Sequence, residues 1–195
     1  MRRPGRGILR DAAAPRLITA SLDAPPVQLA LGFRTGGSCV WTEDFPALMV
    51  FNAVYGGTPT SKLFLNVREK LSLCYFASST LEKCKGILLV SSGIEFGNYD
   101  KAKAEILAQL DNCRQGAIED WEMVAARQAI ISSLSAALDA QGRLEDFWLG
   151  QAAAGLEEEP QALAQRIAAV TKEQVVAVAN KLELDTIYFL KGKEG

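Results

Sequence analysis

The sequence predicts an α+β fold: a mixed or antiparallel β-sheet covered by helices, in a single layered domain. Three observations carry that prediction. Residues 27–34, VQLALGFR, alternate large apolar with small or polar side chains at the period of two that marks a strand. Two further strand-like runs, 75–82 (YFASSTLE) and 86–95 (GILLVSSGIE), are separated by three residues, the length of a hairpin connection. From about residue 100 onward, segments of helical period follow one another until a last strand, TIYFL at 186–190. The order is β-α-α-β-β-α-α-α-α-α-β. Strands interrupted by groups of helices favour helices layered on one sheet.

The first 15 residues hold Arg2, Arg3, Arg6 and Arg10 among glycine, alanine and proline, and read as a flexible basic leader ahead of a domain at 16–195. The leader lacks the interleaved aromatics of a nucleic-acid surface. RLITASL at 16–22 is a candidate edge strand, and 23–26 a turn. The strand at 27–34 has a small second face (Gln28, Ala30, Gly32, Arg34), which suits either a closely packed helix or an extended ligand. A helix then begins at Glu43 or Asp44 and runs to Tyr55. Pro46 fits its first turn, where a missing amide costs little. Asn52 is embedded in its apolar surface and is expected to bond to a neighbouring element or to the loop, in a structural role.

Residues 51–75, FNAVYGGTPTSKLFLNVREKLSLCY, organise the rest. Gly56 and Gly57 are expected to close the first helix by supplying φ > 0. Thr60 or Ser61 is the natural N-cap of a helix at 62–71. Leu63, Phe64, Val67 and Leu71 would form its buried stripe, leaving Lys62, Asn66, Glu69 and Lys70 outside. Arg68 lies at the margin of that stripe, in the last turn. It is either a surface ion-pair partner of Glu69 or a nearby carboxylate, or one of two donors, with Tyr75, that face a common cleft. In the second case a guanidinium fork and a phenol would hold a peptide carbonyl or an oxyanion.

In the hairpin, apolar residues on both faces of 86–95 suggest a strand in the sheet interior or one covered by helices. Gly93 marks a bulge or a close contact. Helices follow at 100–113, 118–138, 143–154, 160–170 and 172–182. The last opens with Thr171 in a TKEQ pattern that resembles a capping box. The acids at 157–159 belong to a solvated loop.

Composition narrows the chemistry. Hydrophobic residues make up 49% and charged residues 23%, with a net charge of −2, which excludes a disordered chain. No apolar run approaches the ~20 residues of a membrane span. Neither a membrane nor a nucleic acid is an expected partner. The four cysteines, Cys39, Cys74, Cys84 and Cys113, show no CxxC pair, and free thiols in a cytoplasmic protein account for them. Whether Cys74 and Cys84 face each other across the hairpin is left open.

The chain contains no histidine. That removes the HxxEH and HExxH zinc motifs, histidine-based triads and the commonest neutral-pH base. No catalytic residue and no metal ligand set is expected within this chain. Glu43 with Asp44 is a pair of adjacent surface acids, not two groups placed across a cleft. The glycine pairs at 36–37 and 56–57 lack the flanking residues of a phosphate or dinucleotide loop.

The stretch GG-TPT-SKLFLNVREKLSLCY, with VQLALGFRTG and FNAVYGG before it and GILLVSSGIE after, resembles the second, non-metal-binding domain of the pitrilysin/insulinase peptidases, the M16 family. The similarity covers nearly the whole domain and extends to the YmfF-like bacterial members. In active members, the first domain holds an inverted HxxEH zinc site, and the second closes over it like a clam shell, offering an Arg and a Tyr to the bound peptide. The resemblance thus implies substrate contacts from Arg68 and Tyr75, supported by Gly56, Gly57 and Asn52. It also implies zinc in another domain, and an N-terminal M16-like domain in cis or a partner subunit in trans. On its own the chain would be hydrolytically inactive. The alternative it implies is a catalytically inert scaffold pairing with an active subunit.

Overall fold

The computed structural model describes residues 14–22 and 27–192. Residues 1–13 of the expected leader, and the turn at 23–26, lie outside the described residues. Among the described residues, five strands form one mixed sheet: β1 (Arg16–Leu22), β2 (Val27–Arg34), β3 (Cys74–Glu82), β4 (Ile87–Ile94) and β5 (Glu183–Gly192), in the order β1-β5-β2-β4-β3. β1 runs parallel to β5, and the other neighbours are antiparallel. The closing strand is longer than TIYFL alone, because Glu183 and Leu184 extend its pairing to Arg34 and Phe33 of β2.

Helices α1 (Phe45–Asn52), α2 (Tyr99–Arg114), α3 (Asp120–Leu138), α4 (Gln141–Ala154), α5 (Pro160–Ala168) and α6 (Lys172–Lys181) match the sequence reading to within a few residues. At the N-terminus of α6 the predicted capping box is formed. The Thr171 hydroxyl accepts from Gln174 N at 3.4 Å, and the Gln174 side chain accepts from Thr171 N at 2.9 Å, so two unpaired amides are satisfied reciprocally.

The inner face of the sheet and the helices share one core, built on Leu29, Leu31 and Phe33 of β2, Leu88 and Val90 of β4, and Leu48, Phe51 and Tyr55 from the first helical run. Tyr55 is fully buried. Burial pushes its phenol pKa well up, and the hydroxyl donates to the Ile106 carbonyl at 3.0 Å. A buried phenol without such a partner would cost the desolvation of its hydroxyl.

β4 lies in the sheet interior, between β2 and β3, one of the two placements its composition suggested, but its two faces are not equally covered. Leu88, Val90 and Ser92 are buried, whereas Leu89 is 42% exposed and Ile87 and Ser91 are half-buried. The outer face of β2 is likewise half-open, with Ala30, Gly32 and Arg34 part-exposed.

Asp44 ties the start of α1 to the end of α6. Its carboxylate accepts from Ser38 and Thr42 and from Lys181 Nζ at 2.7 Å. Burial works against the charged form, but these hydrogen bonds and the Lys181 charge outweigh it, holding the Asp44 pKa below the ordinary value of 3.8. A lowered folded-state pKa gives stability that is complete above the unfolded value and lost as pH falls through the folded one. Asp44→Asn is therefore expected to flatten the acid limb of stability below about pH 4, read as urea midpoints between pH 7 and pH 3. An unchanged acid limb would remove Asp44 from that account.

Candidate functional site

The stretch 51–75 folds differently in detail from its sequence reading. α1 does not stop at its glycines through φ > 0. It widens into a π-helical turn at Ala53–Gly57, and neither Gly56 nor Gly57 has positive φ. Their need for glycine is close approach. A Cβ on Gly56 would sit 2.7 Å from Leu63 Cδ1 and Ser79 Oγ and 2.8 Å from Ser79 N; one on Gly57 would sit 2.7 Å from Asn52 Nδ2. Asn52 is the bond to a neighbouring element that the sequence called for: its Oδ1 accepts from Ser79 Oγ on β3 at 2.7 Å. The glycine turn is thus pressed against β3. Gly56→Ala is expected to cost about 1–3 kcal/mol, because β3 backbone cannot retreat cheaply. A denaturant midpoint equal to wild type would show that the strand yields.

The next helix, Leu63–Lys70, is π-helical throughout, and Ser61 Oγ accepts from Phe64 N at 3.4 Å at its start. Leu63 and Val67 are fully buried, Phe64 is half-buried, and Leu71 is 44% exposed, so the expected stripe is narrower than drawn. Lys62 is not outside. Its ammonium is buried and lies 2.9 Å from Glu122 Oε2, and the same carboxylate oxygen accepts from Glu119 N at 2.8 Å at the start of α3. A lysine can go inside only when paired and hydrogen-bonded, and α3 supplies that partner from sixty residues away.

Past Lys70 the chain turns sharply. Ser72 takes φ 50, Leu71 N and Ser72 N bond back to Asn66 O and Arg68 O, and Leu73 N bonds to Val67 O. This reversal delivers Tyr75 to the side of Arg68. A register shift in the β3–β4 pairing between Cys74 and Phe76 re-aims Tyr75, as a bulged residue is. Gly93, across from Phe76, leaves room for that ring: a Cβ there would lie 2.6 Å from Phe76 Cε1.

Arg68 and Tyr75 line one hollow of about 390 Å³, together with Glu69, Ser72, Cys74, Glu95 and Asn98. The Arg68 side chain is 41% exposed. Its guanidinium lies 4.7 Å from the centroid of the Phe64 ring and 3.6 Å from Glu69 Oε1. Tyr75 is 67% exposed, and its hydroxyl donates to Glu95 Oε1 at 3.3 Å. The sequence reading places Phe64, which seats the arginine, only in the buried stripe, and does not single out Glu95, which holds the phenol. The signal for Glu95 was the hairpin itself, whose pairing of Cys74 with Ile94 brings position 95 beside Tyr75. A second hollow of about 270 Å³ adjoins on the other side of Arg68, between the glycine turn, Phe64 and residues 76–78 of β3.

The cysteines are all free. Cys74 pairs with Ile94 at one end of β3 and Cys84 lies in the turn at the other, so they do not face each other. Burial raises the Cys74 thiol pKa against the pull of Ser92 and Arg68, and pushes Cys113 to about 12. Neither is set up as a thiolate nucleophile. Among the described residues no group of three or more His, Cys, Asp or Glu side chains is placed to hold a metal ion, and the residues present do not fit a zinc site. Among the same residues no helix is long and apolar enough to cross a membrane.

The family model described as "Peptidase M16 inactive domain" matches residues 7–130. The chain belongs to the M16 peptidase family. It is 38% identical over 186 residues to a Bacillus subtilis protein named "Probable inactive metalloprotease YmfF", covering 95% of this chain and 43% of that one. An "Uncharacterized zinc protease" of Mycobacterium tuberculosis is 30% identical over 185 residues, covering 92% of this chain and 41% of that protein. Among solved structures, a conserved protein from Enterococcus faecalis superposes with a TM-score of 0.87 at 31% identity, over 95% of this chain and 44% of the other. A Helicobacter pylori protease at 19% identity and TM-score 0.81 shares the fold. The chain thus spans less than half the length of these Bacillus, Mycobacterium and Enterococcus relatives. It is an M16-family domain of the inactive kind, without a metal site among its described residues.

Proposed function

We propose that this domain is the substrate-contacting, non-catalytic half of an M16-type zinc peptidase, offering Arg68 and Tyr75 to a peptide whose scissile bond lies at a zinc site in another domain. The observation that supports this reading most is the shared hollow: a guanidinium and a phenol, both open to solvent, line one concavity of peptide dimensions. Their chemistry is donation. Preorganised donors aimed at a carbonyl oxygen stabilise the charge it gains on attack. Gly56, Gly57 and Asn52 serve by fixing the helix that carries Arg68 against the strand that carries Tyr75. The partner is an M16-like first domain, in cis or as a separate subunit, and a cytoplasmic setting belongs to the same proposal.

A second reading has one specific observation in its favour: the Bacillus relative is named as probably inactive. In that case the domain is a scaffold that pairs with an active subunit, and the hollow holds peptide without turnover or is merely retained. Equilibrium binding separates peptide contact from scaffolding alone. Fluorescence anisotropy of a labelled, unstructured casein peptide is expected to show saturable binding that weakens about tenfold in Arg68→Ala and less in Tyr75→Phe. Binding that is identical in wild type and both variants would reject the contact assignment.

A further inference from the structure

A further hollow includes neither Arg68 nor Tyr75 in its lining, although Asn52 and Gly57 border it. It lies on the helix side, between α1, α3 and the β3–β4 hairpin, and encloses about 420 Å³, within the roughly 300–1,000 Å³ of small-ligand pockets. Phe45, Met49, Ala53, Leu81 and Ile130 give it an apolar lining. Two donors stand among them. Lys83 is the one charged residue of the lining, and its ammonium has no carboxylate or hydrogen-bond acceptor among the described residues. It is an exposed side chain at the mouth of the hollow, and its Nζ lies 3.1 Å from where a Cβ on Gly150 of α4, outside the lining, would stand. Asn52 is the other: Ser79 Oγ occupies its Oδ1, which leaves Nδ2, beside Gly57, with no acceptor among the described residues.

The geometry points to a binding site for a medium-chain apolar carboxylate, its alkyl chain along Met49, Ala53 and Ile130 and its carboxylate at Lys83 and Asn52. An unpaired cation beside an apolar lining complements an anionic head on an apolar tail. The site is separate from the Arg68 hollow, so its failure leaves the proposed function untouched.

Octanoate, octylamine and octanol serve as probes against the methyl resonances of Met49, Ala53 and Ile130. Octanoate is expected to give saturable shifts at these three residues, with octylamine giving none that saturate. Lys83→Gln should weaken octanoate about fivefold while leaving octanol unchanged. Ala129→Trp, at an exposed position of α3 on the rim, should abolish the shifts in a protein whose other resonances stay in place. Octylamine binding as well as octanoate, octanoate shifts mapping elsewhere, insensitivity to Lys83→Gln, or no saturable shift at all would each overturn the assignment.

Discussion

Alanine at Lys62 is expected to destabilise the domain by about 3–5 kcal/mol, the usual cost of stripping one partner from a buried ion pair. For a chain of this size that corresponds to a fall in Tm of roughly 6–20 °C. The reason lies in what is left behind. Glu122 is buried to nearly the same degree as Lys62, and its Oε2 would keep only the Glu119 amide to offset its charge. The amide hydrogen bond starts α3, so the damage spreads from the motif helix into the helical layer. The double variant Lys62→Met with Glu122→Gln tests the mechanism. It should recover most of the loss, because it removes the stranded charge while Gln can still accept from the amide. Calorimetric or urea stabilities of Lys62→Met, Glu122→Gln and the double variant close the cycle. Losses that simply add would mean that the two groups do not depend on each other.

Lys62 also shows what a single sequence conceals. The helical repeat at 62–71 placed it outside, and by the 3.6-residue period it was outside. The π winding of Leu63–Lys70 changes the angular step, and the partner that makes burial tolerable comes from α3. Neither fact has a local signal. By contrast, the strands and most helices were legible because period-two and period-3.6 patterns are local, and the Thr171 cap because four adjacent residues define it. The glycine pair was read as a turn for a good reason that proved to be the wrong one. Glycine serves both positive φ and close backbone approach, and only the position of Ser79, twenty-three residues on from Gly56, decides between them. At the candidate site, Arg68 and Tyr75 could be named from the motif. Their meeting in one hollow depends on the reversal at Ser72 and the shift in the β3–β4 register.

Arg68 supports the opposite expectation from Lys62, six residues earlier in the chain. Its side chain is 41% exposed and its pair with Glu69 is open to solvent on both sides, so removing it should cost the fold at most about 1 kcal/mol. Its expected effect is on turnover. With the zinc-bearing domain supplied in cis or in trans, Arg68→Ala should lower kcat/KM for peptide hydrolysis about 10²-fold, the scale of losing one oxyanion donor. Arg68→Lys should recover only part of this, because an ammonium keeps the charge but not the planar fork that the Phe64 ring seats. Tyr75→Phe should fall between wild type and Arg68→Ala, since the phenol contributes one neutral donor already shared with Glu95. The contrast makes the experiment decisive. A variant that keeps its Tm and loses turnover locates the arginine's contribution in the reaction, whereas Lys62→Ala loses Tm by a route that never touches the hollow. If Arg68→Ala turns over peptide as fast as wild type in a reconstituted active enzyme, the guanidinium is a solvated helix end, and the domain's role is to pair with its partner.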